Sequence, residues 1–122
     1  MPYQMFDEDD GFVFRFHGDV TLDDVMVASR EWYYRPDLDQ YRYHIWDFGN
    51  VDRLDMDAFD AGVVASLDSV PYRLNRSVKL ALIGTRDDII NMFKDYLLAL
   101  ENDKVISRIF GDESEARKWI GV

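Results

Sequence analysis

The 122-residue chain contains no cysteine, two histidines and three prolines. The lack of cysteine excludes disulfides, thiolate metal sites and cysteine nucleophiles, and it fits a reducing compartment. No run of about 18 apolar residues occurs, so no membrane-spanning helix is expected. Met1-Pro2-Tyr3-Gln4 carries neither a basic region nor an apolar signal core; no export peptide is expected, and the protein is expected in the cytoplasm. Basic residues form no cluster beyond the pair Arg117-Lys118: 14 Lys and Arg stand against 24 Asp and Glu, for a net charge of −10. Phosphate backbones and anionic lipids repel such a chain, so nucleic acid is not an expected partner. The acidity reads first as a solubility device.

What is present argues for a core. Apolar residues make up 48% and aromatics 15% of the chain, enough for one domain that buries about two thirds of its unfolded surface without a staple.

The stretch Tyr43-His44-Ile45-Trp46-Asp47-Phe48-Gly49-Asn50-Val51-Asp52-Arg53-Leu54-Asp55-Met56-Asp57 organises the rest. Residues 43–48 are apolar or aromatic on both faces apart from His44 and Asp47, as in a central strand covered from two sides. His44 reads as a hydrogen-bonded core histidine and Asp47 as a loop anchor accepting backbone N–H groups. Residues 52–57 read as an acidic crossover loop feeding a helix, with Asp55 or Asp57 as its N-cap.

Before that strand, residues 3–6 and 11–17 read as a hairpin around the polar turn 7–11, with Phe12, Phe14 and Phe16 on one face. Gly18-Asp19-Val20 reads as a break. Thr21-Leu22-Asp23-Asp24 then has the shape of a capping box for a helix with Leu22, Val25, Ala28, Ser29 and Trp32 at core spacing, stopped before Pro36. After the strand, Met56, Phe59, Val63, Leu67 and Val70 mark a helix that Pro71 ends, and 72–76 reads as a loop. Residues 77–83 read as a buried strand. Thr85-Arg86-Asp87-Asp88 repeats the capping signature ahead of the clearest helix, whose core stripe is Ile89, Phe93, Tyr96, Leu97 and Leu100; 101–103 ends it. Residues 104–110 read as a last buried strand, and Asp112-Glu113-Ser114-Glu115 opens a short helix carrying Ala116, Trp119 and Ile120. The order β-β-α-β-α-β-α-β-α predicts a mixed, mainly parallel α/β sheet with helices packed against it and the hairpin at an antiparallel edge.

That order resembles the STAS-like fold of the SpoIIAA-like superfamily. Gly18-Asp19-Val20-Thr21-Leu22-Asp23-Asp24 is similar to the family's turn into its first helix. Trp46 to Asp57 is similar to its central strand and crossover, and Glu115-Ala116-Arg117-Lys118-Trp119-Ile120 to the terminal helix of the SpoIIAA-like branch. The resemblance implies a single-domain regulatory module that binds a protein partner. In the family's antagonist proteins the crossover runs Asp-Ser-Ser-Gly, with a serine phosphorylated by a partner kinase. Here Asp55, Met56, Asp57 and Ala58 stand there. No hydroxyl is available, so that control is not implied. Asp57 reads as a helix cap, with a fixed negative charge in place of a phosphoserine as the rival role.

Three function classes follow. The first is a non-enzymatic interaction module docking a protein through Asp52, Asp55, Asp57, Asp60 and Val64, with a homodimer through an edge strand or aromatic helix face as a further expectation. The second is a small apolar ligand or lipid domain whose pocket is lined by Trp32, Tyr33, Tyr34, Trp46 and Tyr72. The third, an enzyme, lacks a nucleophile with a spaced base, a phosphate-binding glycine loop or a His-x-x-x-His pair. Asp52-x-x-Asp55-x-Asp57 lacks the glycine and glutamate of an EF-hand loop. A phosphoacceptor receiver would need a helix where the acidic run 7–10 leads into a strand. No cofactor and no metal are expected.

Overall fold

The computed structural model describes residues 2–74, 77–100 and 105–122. Five strands form one sheet in the order β1-β2-β3-β4-β5: β1 (Tyr3–Asp7), β2 (Gly11–Thr21), β3 (Tyr43–Asp55), β4 (Val78–Ile83) and β5 (Val105–Phe110). β1 pairs antiparallel with β2; every other pairing is parallel. The helices are α1 (Leu22–Tyr33), α2 (Ala58–Leu74), α3 (Asp87–Leu100) and α4 (Glu113–Ile120).

Because each parallel strand is laid beside the one before it, right-handed crossovers put α1, α2 and α3 on one face of the sheet. That face carries the main core, built on Phe12, Phe14, Phe16, Trp46, Phe48, Leu80 and Leu82. On the other face α4 covers Val13, Tyr43, Ile45, Ala81 and Ile83 with Ala116, Trp119 and Ile120. Phe12, Phe14 and Phe16 thus do alternate with Val13 across the sheet, as a period of two requires.

α4 is fastened to the hairpin by charge. Arg117 grips both oxygens of Glu8, at 2.6 and 3.0 Å, and reaches Glu113 at 2.8 Å, while Arg15 holds Glu113 from β2. The Thr21 and Asp112 caps form as the sequence predicts, the first as a full capping box with Asp24. Gly11 marks a close approach: a Cβ there would lie 2.5 Å from the buried Tyr43 ring, whose hydroxyl donates to Glu8. Gly11→Ala is therefore expected to cost about 1–3 kcal/mol by overpacking, read as a lower urea midpoint at unchanged slope.

Several element boundaries differ from the sequence expectation. Gly18, at φ 67°, makes a bulge instead of a break. β2 resumes, and Gly18, Asp19, Val20 and Thr21 pair with Val51, Arg53, Leu54 and Asp55. Each stretch supplies the other's hydrogen bonds, so most of the expected crossover loop is strand. α3 begins at Asp87, with the Arg86 carbonyl accepting from Ile90 N–H, in place of the expected Thr85 cap. β5 is an edge strand with Ile106, Ser107 and Arg108 exposed, not a fully buried one. The expected helix end at 101–103 and strand start at Lys104 lie outside the described residues.

α2 departs most. It runs through Pro71 to Leu74. The N–H that proline lacks would have met the carbonyl of Leu67, on a solvent-facing turn where water can replace it. Its core face is Ala61, Val64, Ala65, Asp68 and Tyr72, in place of the more apolar stripe Phe59, Val63, Leu67 and Val70. The two alanines let the helix sit close between its neighbours.

Candidate functional site

The bend after β3 is short and open. Asp52 and Asp55 lie on the strand, and Asp52, Asp55 and Asp57 are all exposed. Asp57 is the N-cap of α2. Its Oδ1 accepts from the Asp60 N–H at 2.9 Å, and Asp60 Oδ2 accepts from the Asp57 N–H at 3.2 Å, a capping box made of two aspartates. Asp55 does not cap. Beneath the bend, Arg86 donates to the carbonyls of Val51, at 2.8 Å, and Asp52, and pairs with Asp88 at 2.7 Å. The sequence reading missed this clamp, which ties the start of α3 to the end of β3.

Val64, expected on this surface, is 3% exposed and belongs to the core; it faces the sheet because it is in phase with Ala61 and Ala65. The exposed apolar residues are its neighbours. Phe59 is 78% exposed, Leu67 41% and Val70 57%. Phe59, Val63 and Leu67, with Met26 of α1 and Ala99 of α3, line a shallow groove of about 700 Å³. An apolar strip on one helix, led by a run of carboxylates, is the feature of this surface that solvation alone does not explain.

The expected aromatic pocket is a packed core. Trp32 and Tyr72 are fully buried and stand 4.9 Å apart between ring centres, with His44 against both and Tyr33 against Trp32. Tyr34 is exposed. Trp46 of the expected set lines a cavity of about 30 Å³, bounded by Val25, Phe48, Met56, Met92, Phe93 and Tyr96 among others. It has room for about one water.

One wall of that cavity is Asp68, which the sequence reading did not single out. It is 2% exposed. Tyr33 of α1 donates to its Oδ1 and Tyr96 of α3 to its Oδ2, the latter at 2.5 Å. Burial pushes its carboxyl up to about 6, against the smaller opposing effect of those hydroxyls and of Ser29; burial also pushes the Tyr33, Tyr72 and Tyr96 phenols well up. Behind Tyr72 lies His44, with Nδ1 2.9 Å from the Tyr72 hydroxyl and Nε2 buried without a partner. Burial pushes it down to about 3, so it is neutral at pH 7. The signal for Asp68 was its spacing: it stands seven residues after Ala61 and four before Tyr72. Asp47 accepts a backbone N–H as expected, with Oδ1 taking that of Gly49 at 2.8 Å, but inside β3 and not at a loop, because the strand runs on to Asp55.

Among the described residues no three His or carboxylate side chains converge as a metal site would need, and no helix is long and apolar enough to cross a membrane. Two acids of the hairpin have basic partners: Glu8 as above, and Asp7 with Arg35 at 2.6 Å.

No protein-family model and no curated protein matches the chain. Solved structures do. The anti-sigma factor antagonist SpoIIAA in its unphosphorylated form superposes with a TM-score of 0.65 at 15% identity, over 98% of this chain and 97% of that one. The Bacillus cell fate determinant SpoIIAA in its phosphorylated form gives 0.62 at 15% identity, over 97% and 98%. An uncharacterized DUF3478-family protein from Shewanella loihica PV-4 with a SpoIIAA-like fold gives 0.57 at 14% identity, over 97% and 91%. The chain has a SpoIIAA-like fold.

Proposed function

We propose that this chain is a regulatory, non-enzymatic module of the STAS type that docks a protein partner on the outward side of α2. Asp55, Asp57 and Asp60 supply a negative lead and Phe59, Val63 and Leu67 the apolar contact. The observation that carries this reading is the exposure of Phe59 and Leu67 on a helix whose opposite side is buried. A partner suited to it presents apolar side chains rimmed by Lys or Arg, since opposite charge steers encounter and the buried apolar centre supplies affinity. With no serine or threonine at 55–58, the charge at Asp57 is permanent, and a kinase acting at this bend has no acceptor.

The solved structures likened to this chain are named for an antagonist of an anti-sigma factor in phosphorylated and unphosphorylated forms, which supports regulation through protein contacts. A small apolar ligand gains no support from a 30 Å³ cavity. The test uses immobilised wild-type protein, Asp57→Lys and Phe59→Asp as baits, with Asp9→Lys as a distal control. A partner held by wild type and control is expected to bind at least tenfold more weakly to both α2 variants. Equal capture by all four baits would sink the reading.

A further inference from the structure

We propose that Asp68 is a proton-operated latch on α2. Protonated, it lets the helix close firmly on α1 and α3; ionised, it draws water into the adjoining cavity, loosens the helix and remakes the groove on its outward side. This rests on the reading of that side as the docking surface, and it says how docking there is regulated.

The geometry is that of a three-helix tie. Asp68 belongs to α2, and its two oxygens accept from Tyr33 on α1 and Tyr96 on α3. The groups that face it are Ser29 and Tyr33 from α1, Tyr72 of its own helix and Tyr96 from α3, with His44 of β3 behind Tyr72. None carries a positive charge at neutral pH. A buried carboxylate in that company has two phenolic donors and no counter-ion, so its charge is the costly state.

Both states can nevertheless satisfy their hydrogen bonds. With the carboxylate ionised, each oxygen takes one phenol hydrogen. When a proton is added, the acid O–H donates to the Tyr33 oxygen, and Tyr33 turns its own hydrogen toward Ser29 Oγ. The Ser29 hydroxyl is buried, faces both Asp68 and Tyr33 and makes no full hydrogen bond, so its oxygen can serve as the acceptor the exchange needs.

The second requirement, room for water, is also met. The 30 Å³ cavity is bounded by Asp68 together with Met56, Met92 and Tyr96, and thioether side chains yield readily. The cavity holds about one water, and solvating a full charge takes more than one, so ionisation parts α2 from β3 and α3 to admit them. Leu67 adjoins Asp68, and Val63 lies just over one turn before it, so a shift of the latch moves the outward face with it. Protonation therefore tightens the groove, and docking weakens as pH rises through the Asp68 titration.

The test needs no partner. In wild-type protein, the Asp68 carboxyl carbon and the Val63 and Leu67 methyl groups are followed by NMR from pH 4.5 to 7.5. One common midpoint near 6 is expected, and in Asp68→Asn the methyl response should disappear. Hydrogen-exchange protection of the α2 amides supplies the second readout: the ratio of wild type to Asp68→Asn should fall on the order of tenfold from pH 5 to 7.5, with α4 amides as the control. Methyl groups that do not follow the carboxyl, a carboxyl midpoint below 5, or a ratio constant with pH would each overturn the latch. Should Asp68→Asn fail to fold, the wild-type titration alone decides. A latch that titrates as expected while the bait experiment fails would discard the docking reading and leave the latch standing.

Discussion

His44→Phe is expected to reverse the sign of the protein's response to acid, gaining about 2 kcal/mol of stability between pH 7 and 4.5 relative to the shared background, while Asp68→Asn loses about 3 kcal/mol. The reason is that two buried groups titrate in opposite senses. His44 is held neutral down to about pH 3 in the folded chain but accepts a proton near 6.5 once unfolded. From pH 6.5 down to 3 the unfolded state therefore binds the extra proton, and stability is lost on acidification. Asp68 takes up its proton near pH 6 when folded and near 3.8 when unfolded. From 6 down to 3.8 the folded state holds the extra proton, and stability is gained.

Over pH 6 to 4 the two slopes nearly cancel, so the wild-type profile understates both. Each variant removes one slope and uncovers the other. Phenylalanine suits position 44 because the imidazole already stacks on Phe12, with ring centres 4.1 Å apart; losing the Tyr72 hydrogen bond costs about 1 kcal/mol at pH 7. Urea unfolding of the three proteins at pH 4.5 and 7 is the measurement. Since all other titrating groups are common to them, the difference between the variants' responses carries the result. Parallel profiles would show that neither group is buried as described.

Trp32→Ala is the second, with an expected loss of about 3–5 kcal/mol. Trp32 is fully buried, within ring contact of Phe12, Tyr33, His44 and Tyr72. A domain with about 5–15 kcal/mol of total stability is left near its folding threshold by that change. Trp32→Phe should cost far less, about 1–2 kcal/mol. It removes volume, but it also removes an indole N–H that is buried with no acceptor, and shedding an unsatisfied donor offsets part of the lost packing. Thermal and urea unfolding of both variants check the pair. If this site were a ligand pocket, Trp32→Ala would instead be nearly neutral in stability.

The same residues mark where sequence reasoning reached and where it stopped. Alternation placed Phe12, Phe14 and Phe16 on one face, and helical spacing placed Val25, Ala28, Ser29 and Trp32 in the core; both hold because backbone period alone decides which side chains share a face. The caps at Thr21 and Asp112 were legible for a similar reason, since a cap is satisfied within one turn. The mainly parallel sheet with an antiparallel hairpin at its edge followed from the alternation of elements and the handedness of crossovers.

α2 was misread because its sequence offers two stripes, and the more apolar one faces solvent. Summed hydropathy favours Phe59, Val63, Leu67 and Val70. Close approach between α1 and α3 instead favours the side with Ala61 and Ala65, and accepts Asp68 because Tyr33 and Tyr96, 35 and 28 residues away, supply hydroxyls. The strand at 49–55 was missed because its partner, 18–21, lies across an intervening helix. By itself the sequence determined the fold class, the mainly parallel sheet with its antiparallel edge and the inward faces of β2, α1 and α3, all set by local period and short-range connection rules. Only the tertiary structure decided which side of α2 is buried, and with it where the docking face and the buried carboxyl lie, because that choice depends on how closely three helices can pack and on donors brought from distant parts of the chain.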